Sequence, residues 1–332
     1  MSTLEEWDLI TTFTSGQSPG TGVLLGVGDD AAVLDPGPDG PLVAAADLLV
    51  EGIHFDCRYT PPRAIGHKVA AVNLSDLAAM GALPRWLLLS LAIPPGTDAH
   101  WLRELRDGLR ALCDEVGVTL VGGDTTGAKK GALTLNITAL GVMAGVKPIT
   151  RRGATPGDGI YVCGNLGGAS YALSRLEGGE VGGNWAWPLF YPRPLLVEGR
   201  TLARRGIPSA MLDVSDGFVS DLGHLLSGGI TGAPPQLGAE VDLGALPLHP
   251  GLVQARSDGV KVWHWVVNGG EDYALLFTVP PDREGELKGL DIPPCVRVGT
   301  ITRGVGLHWL LPEGVVSPDL GQSWKHFEKE HP

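Results

Sequence analysis

Hydrophobic residues recur along the chain with two spacings, and each spacing predicts a different element. Between Pro61 and Met80 they fall at steps of three and four, which predicts a helix closed by Gly81. The same spacing predicts a second helix over residues 98–116. Short apolar or alternating runs predict strands at residues 23–25, 42–46, 86–93, 118–121 and 133–137. This order of elements indicates an α/β fold.

The pattern changes near residues 146–148, where a loop containing two arginines follows. We therefore predict an N-terminal α/β domain over residues 1–148 and a C-terminal α/β domain over residues 149–332. The glycine-rich stretch 177–187 shows little pattern and is predicted to be a mobile loop. Strands and helices of the second domain are predicted at residues 160–162, 167–176, 195–205, 210–212, 218–225 and 274–279.

Composition limits the classes of partner. The chain has 332 residues, of which 43% are hydrophobic, enough for two domain cores. Its formal net charge of -12 argues against nucleic acid and anionic membranes, since both bind basic surfaces. The four cysteines lie far apart, which favours free thiols in a reducing cytoplasm over disulfides or zinc. With acids near the N-terminus and no apolar run of about 20 residues, we expect a soluble cytoplasmic protein.

Acidic residues follow glycines and strands at several points. Asp29 and Asp30 come directly after Gly26 and Gly28, with a spacing that is typical of dinucleotide-binding turns. We reject that interpretation because Pro36 ends the run before a helix can form and because two carboxylates would repel phosphates. Turn formation alone remains the alternative for both aspartates.

Further acids stand where α/β folds build their sites. Asp47 ends one apolar strand, and Asp213 follows another. Asp76 is predicted to lie on the apolar stripe of the first helix, where a buried carboxylate needs a cation or a hydrogen-bond donor. Asp124 follows Gly122–Gly123, whose N–H groups are accessible to phosphate oxygens, although Gly-Gly-Asp is also an ordinary turn.

The chemistry of these acids points to magnesium. Oxygen ligands with few histidines or cysteines favour Mg²⁺ over zinc, and Mg²⁺ commonly bridges protein carboxylates to substrate phosphates. A phosphorylated nucleotide is therefore the expected ligand, although the chain lacks the P-loop and protein-kinase motifs. For Ser215 and Asp216, capping of the following helix is the structural alternative. The candidate Mg²⁺ ligands are Asp30, Asp47, Asp76, Asp124, Asp213 and Asp216.

Three other polar residues are ambiguous by themselves. His54 follows a strand, but a lone histidine is more often a packed or surface residue. Arg151 either contacts phosphate or is simply solvated. Glu271 follows Gly269–Gly270 and repeats the pattern of two glycines before an acid.

Five segments, in this order and spacing, closely resemble the thiamine-monophosphate kinase family: residues 26–32, 72–82, 122–126, 213–217 and 269–273. The most specific is the Asn-Leu-Ser-Asp-Leu-Ala-Ala-Met-Gly block at residues 73–81. The resemblance implies the two-domain α/β architecture of the aminoimidazole ribonucleotide synthetase superfamily, with mixed sheets flanked by helices. It also implies a homodimer paired through the N-terminal domains, and an ATP cleft that the C-terminal domain completes.

The resemblance assigns a role to each candidate residue. The six aspartates would ligate several Mg²⁺ ions. The ATP contacts would be Gly123, Arg151 and Ser215. The residues that hold thiamine monophosphate would be His54, Glu271 and Trp324.

This chain departs from the family pattern at three points. Ala45–Ala46 replaces hydroxyl residues that often precede the metal-binding aspartate, so one ion would take water instead. Leu105 replaces an aromatic residue that often lines the nucleotide site, so adenine would pack differently. Lys325 replaces the aspartate of a Trp-Asp-His-Phe motif, which bears on the placement of Trp324.

A mechanism follows from the charge of the acceptor. A substrate phosphate oxygen is ionised at pH 7, so attack on the γ-phosphoryl group of ATP needs no general base. We therefore predict direct in-line transfer that yields thiamine diphosphate, without a phospho-enzyme. Two alternatives stay open: an ATP-dependent synthetase of the same superfamily that acts on another phosphorylated small molecule, and a nucleotide-binding regulator without turnover.

Overall fold

The computed structural model describes residues 21–25, 33–129, 131–181, 183–228 and 237–311. These residues form two compact units. The first contains the described residues up to Leu77, together with Ala82–Val146 and Phe190–Pro192. The second contains Ala78–Gly81, Lys147–Leu189 and the described residues from Arg193 onward. No helix in these described ranges is long and apolar enough to cross a membrane.

The first unit is built on a four-stranded mixed sheet. Its strands lie in the order β3-β6-β4-β5; β4 and β5 run parallel, and the other two pairs are antiparallel. A short antiparallel pair, β1 with β2, precedes them. The strands are β1 (Val23–Leu25), β2 (Val33–Leu34), β3 (Leu42–Val50), β4 (Leu83–Ile93), β5 (Thr119–Gly127) and β6 (Thr134–Val142). Its helices are α1 (Pro62–Ala79), whose last two residues belong to the second unit, and α2 (Ala99–Val116).

Local signals explain the bounds of α2. The side chain of Asp98 accepts a hydrogen bond from the backbone N–H of Trp101 at 3.0 Å, which caps the first turn. Gly117 ends the helix in the left-handed conformation that glycine adopts without a steric penalty. The leucines that recur at steps of three and four, Leu102, Leu105, Leu109 and Leu112, are all buried, so the prediction of this helix is confirmed.

Helix α1 is buried on nearly all sides, which the predicted single apolar stripe did not foresee. The predicted stripe consists of Ile65, Val69, Val72, Asp76 and Met80. Leu74 and Leu77 are fully buried although they lie outside this stripe, whereas Asp76 and Met80 within it are only half-buried. Two glycines allow α1 and α2 to pack closely: a Cβ at Gly66 would lie 1.8 Å from the carbonyl oxygen of Leu105. The reciprocal contact is made by Gly108 of α2.

The second unit is built on a six-stranded mixed sheet in the order β12-β9-β11-β7-β10-β8, in which only the β9–β12 pair is parallel. Strands β7, β8 and β10 are buried along their whole length. The strands are β7 (Gly159–Cys163), β8 (Ala210–Asp213), β9 (Gly238–Asp242), β10 (Leu275–Val279), β11 (Val296–Thr302) and β12 (Gly306–Leu310). The helices are α3 (Gly168–Glu177), α4 (Trp187–Phe190), α5 (Leu196–Arg205), α6 (Phe218–Leu226), α7 (Pro250–Ser257) and α8 (Trp263–Asn268); the last residue of α4 belongs to the first unit. The predicted α/β class with mixed sheets flanked by helices is thus confirmed.

Part of the predicted mobile loop is regular structure. Residues Asn184–Ala186 form a 3-10 turn that leads directly into α4. Ala186, Leu189 and Phe190 are buried. The loop prediction was therefore wrong for residues 184–187, which form regular structure and include the buried Ala186.

Candidate functional site

In the first unit, side chains from two other elements hold the backbone of Asp47. Its N–H donates to Oδ1 of Asn73 at 2.8 Å, and its carbonyl accepts from Nδ2 of Asn136 at 2.9 Å. Asn73 is fully buried, and its own Nδ2 donates to the carbonyl of Val69 at 2.9 Å. The strand that carries Asp47 is therefore tied both to α1 and to β6.

The sheet places Asp47 and Gly123 in one row. Asp47 lies opposite Ile137, which lies opposite Leu89, and Leu89 lies opposite Gly123. A Cβ at Gly123 would lie 1.7 Å from the carbonyl oxygen of Leu89, so the close approach of β4 by itself requires glycine here. The next residue, Asp124, is exposed.

His54 lies in the loop after β3, and hydrogen bonds hold it at two points. Its Nδ1 accepts from the N–H of Val50 at 3.1 Å, so the neutral ring carries its proton on Nε2. Its carbonyl accepts from Nζ of Lys68 at 2.8 Å. Lys68 is 1% exposed, and sequence reasoning missed it, although a lysine within a buried helix was a usable signal.

In the second unit, two of the predicted motifs lie side by side. Asp213 ends β8 and is buried, opposite Leu275 of β10. Beyond this pair the N–H of Glu271 donates to the carbonyl of Ser215 at 2.8 Å, and the N–H of Tyr273 donates to the carbonyl of Val214 at 2.8 Å. The loop of residues 213–217 and the loop of residues 269–272 are therefore paired through their backbones.

Glu271 and Tyr273 adopt left-handed backbone conformations, with φ of 67° and 50°. Non-glycine residues adopt this region at a cost, and such residues concentrate at functional sites. Asp272, between them, accepts from the N–H of Gly167 at 2.5 Å and of Ala169 at 3.2 Å, which anchors the loop to the start of α3. Burial of its carboxyl group raises the pKa of Asp272 to about 7, against the opposing effect of these donors.

Asp221 of α6 was not predicted from the sequence. Its Oδ2 accepts from the N–H groups of Ser215, Asp216 and Gly217, each at 3.1 Å. Neither Ser215 nor Asp216 caps α6: the residue before the helix is Gly217, which has no side chain to do so. The capping alternative is therefore wrong, and Asp221, four residues after Gly217, was the available signal. Burial and then the carboxylates of Asp213 and Asp216 raise the pKa of Asp221 to about 8.

Within the described ranges, one group of three side chains brings possible metal-binding atoms within 4.8 Å of one another. It consists of Asp216, Asp221 and His224. Asp47, Asp76 and Asp124 do not form such a group, and Asp76 is half-buried near the end of α1. Arg151 is exposed in the loop before β7.

A family model described as AIR synthase related protein, N-terminal domain, matches residues 28–143. A thiamine-monophosphate kinase from Haemophilus influenzae is 36% identical over 312 residues, which cover 91% of this chain and 90% of that protein. The chain belongs to the thiamine-monophosphate kinase family. The predicted family, and with it the prediction of an enzyme with kinase activity, is confirmed.

Solved structures of the thiamine-monophosphate kinase family share the fold. The thiamine-monophosphate kinase from Stenotrophomonas maltophilia K279a is 35% identical, with a TM-score of 0.76 over 91% of this chain and 94% of that chain. AaThiL complexed with AMPPCP and TMP is 27% identical, with a TM-score of 0.74 over 88% of this chain and 89% of that chain. The architecture inferred from the family resemblance is therefore confirmed.

Two candidate residues of the thiamine-monophosphate kinase pattern, Asp30 and Trp324, lie outside the described residues. The structure shows the surroundings of the other ten, and their roles stay predictions. Leu105, at the position where family members often carry an aromatic residue, is fully buried in α2.

Proposed function

We propose that this chain transfers the γ-phosphoryl group of ATP to thiamine monophosphate and produces thiamine diphosphate. The observation that carries the proposal is the family relationship over nearly the whole chain, together with the AMPPCP and TMP bound by AaThiL. The pairing of the two loops in the second unit supports it, because it orders Ser215, Asp216 and Glu271 in one assembly. We propose that the domains 1–148 and 149–332 both contribute residues to this reaction.

The acids present fit a hard divalent cation. Burial is the main cause of the raised pKa of Asp221, and the nearby carboxylates of Asp213 and Asp216 raise it further; a cation would relieve the repulsion among these three acids. Mg²⁺, when bound, neutralises phosphate charge and orients the transferred group. In our proposal its ligands come from Asp30, Asp47, Asp76, Asp124, Asp213 and Asp216.

The substrate contacts follow from the charges of the side chains. For His54, whose Nδ1 accepts from the N–H of Val50, we propose a contact with an anionic oxygen of thiamine monophosphate. The carboxylate of Glu271 complements the cationic thiamine ring, and Trp324 offers an aromatic face. For ATP we propose contacts with Gly123, Arg151 and Ser215.

No side chain needs to remove a proton from the acceptor, whose phosphate oxygen is ionised at pH 7. The residues of the chain bind both substrates, hold them in line and exclude water. This mechanism predicts inversion of configuration at phosphorus for an ATP with a chiral γ-phosphoryl group. Retention would contradict direct transfer.

The activity is tested by incubating the purified chain with Mg-ATP and thiamine monophosphate and measuring thiamine diphosphate by chromatography. Equimolar ADP and thiamine diphosphate support the proposal. ATP turnover that does not depend on thiamine monophosphate supports the synthetase alternative. Nucleotide binding without turnover supports the regulator.

We also propose that the chain is a homodimer paired through the first unit and that it works in the cytoplasm. The outward positions of the edge strand β3 are apolar: Leu42 and Leu48 are each 53% exposed, with Ala44 and Ala46 between them. All four cysteines are unpaired thiols, as expected in a reducing compartment. Light scattering should give a dimer for the wild type and a monomer for Leu48→Glu; a monomeric wild type would contradict the dimer.

A further inference from the structure

The carboxylate of Asp221 fills a backbone site that resembles those in which other proteins bind phosphate. Three successive N–H groups, of Ser215, Asp216 and Gly217, converge on its Oδ2 at 3.1 Å each. Such a concave arrangement of amides is an anion-binding nest. Asp221 is 3% exposed, so its carboxylate occupies this nest from within the fold.

This arrangement determines what the loop can offer to a ligand. Its N–H groups are turned toward Asp221 and are not available to a phosphate. The carbonyls of Val214 and Ser215 are taken up by the N–H groups of Tyr273 and Glu271. The side chains of Ser215 and Asp216 in this loop are both half-buried.

We propose that Asp221 is a positioning residue for the nucleotide: it fills the nest, keeps phosphate out of it, and so directs the side chains of Ser215 and Asp216 to Mg-ATP. This inference rests on the proposed function, in which Ser215 contacts ATP and Asp216 ligates Mg²⁺. An asparagine at this position keeps one acceptor oxygen, but its NH₂ group cannot accept from the loop and repels the N–H groups when it faces them.

The chain supplies a matched control in the same unit. Asp158 is 1% exposed, and its carboxylate accepts from the N–H of Thr155 at 3.0 Å, from Oγ1 of Thr155 at 3.0 Å and from Oγ of Ser209 at 2.6 Å. It precedes Gly159, which pairs with Val279, whereas Asp213 pairs with Leu275 at the other end of β10. Asp158 therefore has a comparable structural role at the far end of the sheet.

The test compares Asp221→Asn with Asp158→Asn in the full chain. Hydrogen exchange of the amides at residues 215–217, thermal unfolding and the Kd for Mg-AMPPCP by calorimetry are measured for both. We expect at least 10-fold faster exchange at these amides and at least 10-fold weaker Mg-AMPPCP binding in Asp221→Asn. Asp158→Asn should lower the melting temperature while leaving both quantities within 2-fold of the wild type.

Several results would overturn the inference. One is an Asp221→Asn variant whose amide exchange or Kd equals that of the wild type. Another is an Asp158→Asn variant whose Mg-AMPPCP binding is weakened as strongly as that of Asp221→Asn. If Asp221→Asn does not fold, Asp221→Glu provides the comparison. It keeps the carboxyl group but displaces it by one methylene, and the expected result is a KM for ATP raised more than kcat is lowered. If the wild type binds no Mg-AMPPCP, the proposed function itself is wrong. If the wild type binds it and Asp221→Asn binds it equally well, only the inference about Asp221 is wrong.

Discussion

The Oδ1 of Asn73 lies 2.8 Å from the backbone nitrogen of Asp47 and accepts its hydrogen bond. The two residues are 26 positions apart, on α1 and β3, and each belongs to a segment that the sequence marked as functional. Through this bond the helix that carries Asp76 sets the position of the strand that carries Asp47.

We expect Asn73→Ala to destabilise the protein by about 1–3 kcal/mol, because it removes the acceptor of a part-buried N–H. Urea unfolding measures the change. Asn184→Ala, at an exposed asparagine, is the control and should stay within about 0.5 kcal/mol of the wild type. An equal loss in both variants would contradict the structural role of Asn73.

Asp76→Asn should lower turnover at least ~100-fold while leaving the fold intact, because it removes a charge proposed to hold Mg²⁺. Steady-state kinetics with Mg-ATP and thiamine monophosphate give the change, and circular dichroism verifies the fold. The control is Asp114→Asn on α2. The side chain of Asp114 is 71% exposed, and its substitution should leave turnover unchanged. Near-normal turnover in Asp76→Asn would refute the metal role.

Gly123→Ala should destabilise the protein by at least about 2 kcal/mol, because the new Cβ would meet the carbonyl of Leu89. Gly127→Ala on the same strand is the matched control, since nothing lies within 4 Å of its Cβ position. The free energy of unfolding of both variants is measured by chemical denaturation. Equal stability of the two variants would contradict a structural requirement for glycine at position 123.

Asp272 should make the stability of the protein depend on pH. Its pKa is about 7 in the folded chain, raised mainly by burial of the carboxyl group from an ordinary value of 3.8. Between these values the folded state binds more protons than the unfolded state. The contribution to stability is therefore complete below about pH 4 and is lost as the pH rises through about 7.

The measurement is the free energy of unfolding at pH 5, 6, 7 and 8 for the wild type and for Asp272→Asn. The wild type should lose stability relative to the variant as pH rises, with a slope of at most about 1.4 kcal/mol per pH unit. Subtracting the variant removes the contribution of Asp221, whose pKa is also raised. Parallel curves would show that Asp272 does not titrate in this range.

Elements specified by neighbouring residues were predictable. Helix α2 has its cap at Asp98, its stop at Gly117 and a run of buried leucines between them, so all of its signals lie within the helix or next to it. The position of Asp213 at the end of an apolar strand was also predictable, and β8 ends at this residue. The family motifs are also local, so the sequence alone indicated the enzyme family.

The tertiary structure decided which groups hold these motifs in place. Asp272 contacts Gly167 from 105 residues away, and Lys68 binds the carbonyl of His54 from 14 residues away. Asp221 is close in sequence to its three donors, but only the folded loop turns their N–H groups toward it. Periodicity reports which face of an element is apolar, whereas a long-range hydrogen bond depends on how distant segments pack, and no local pattern encodes that.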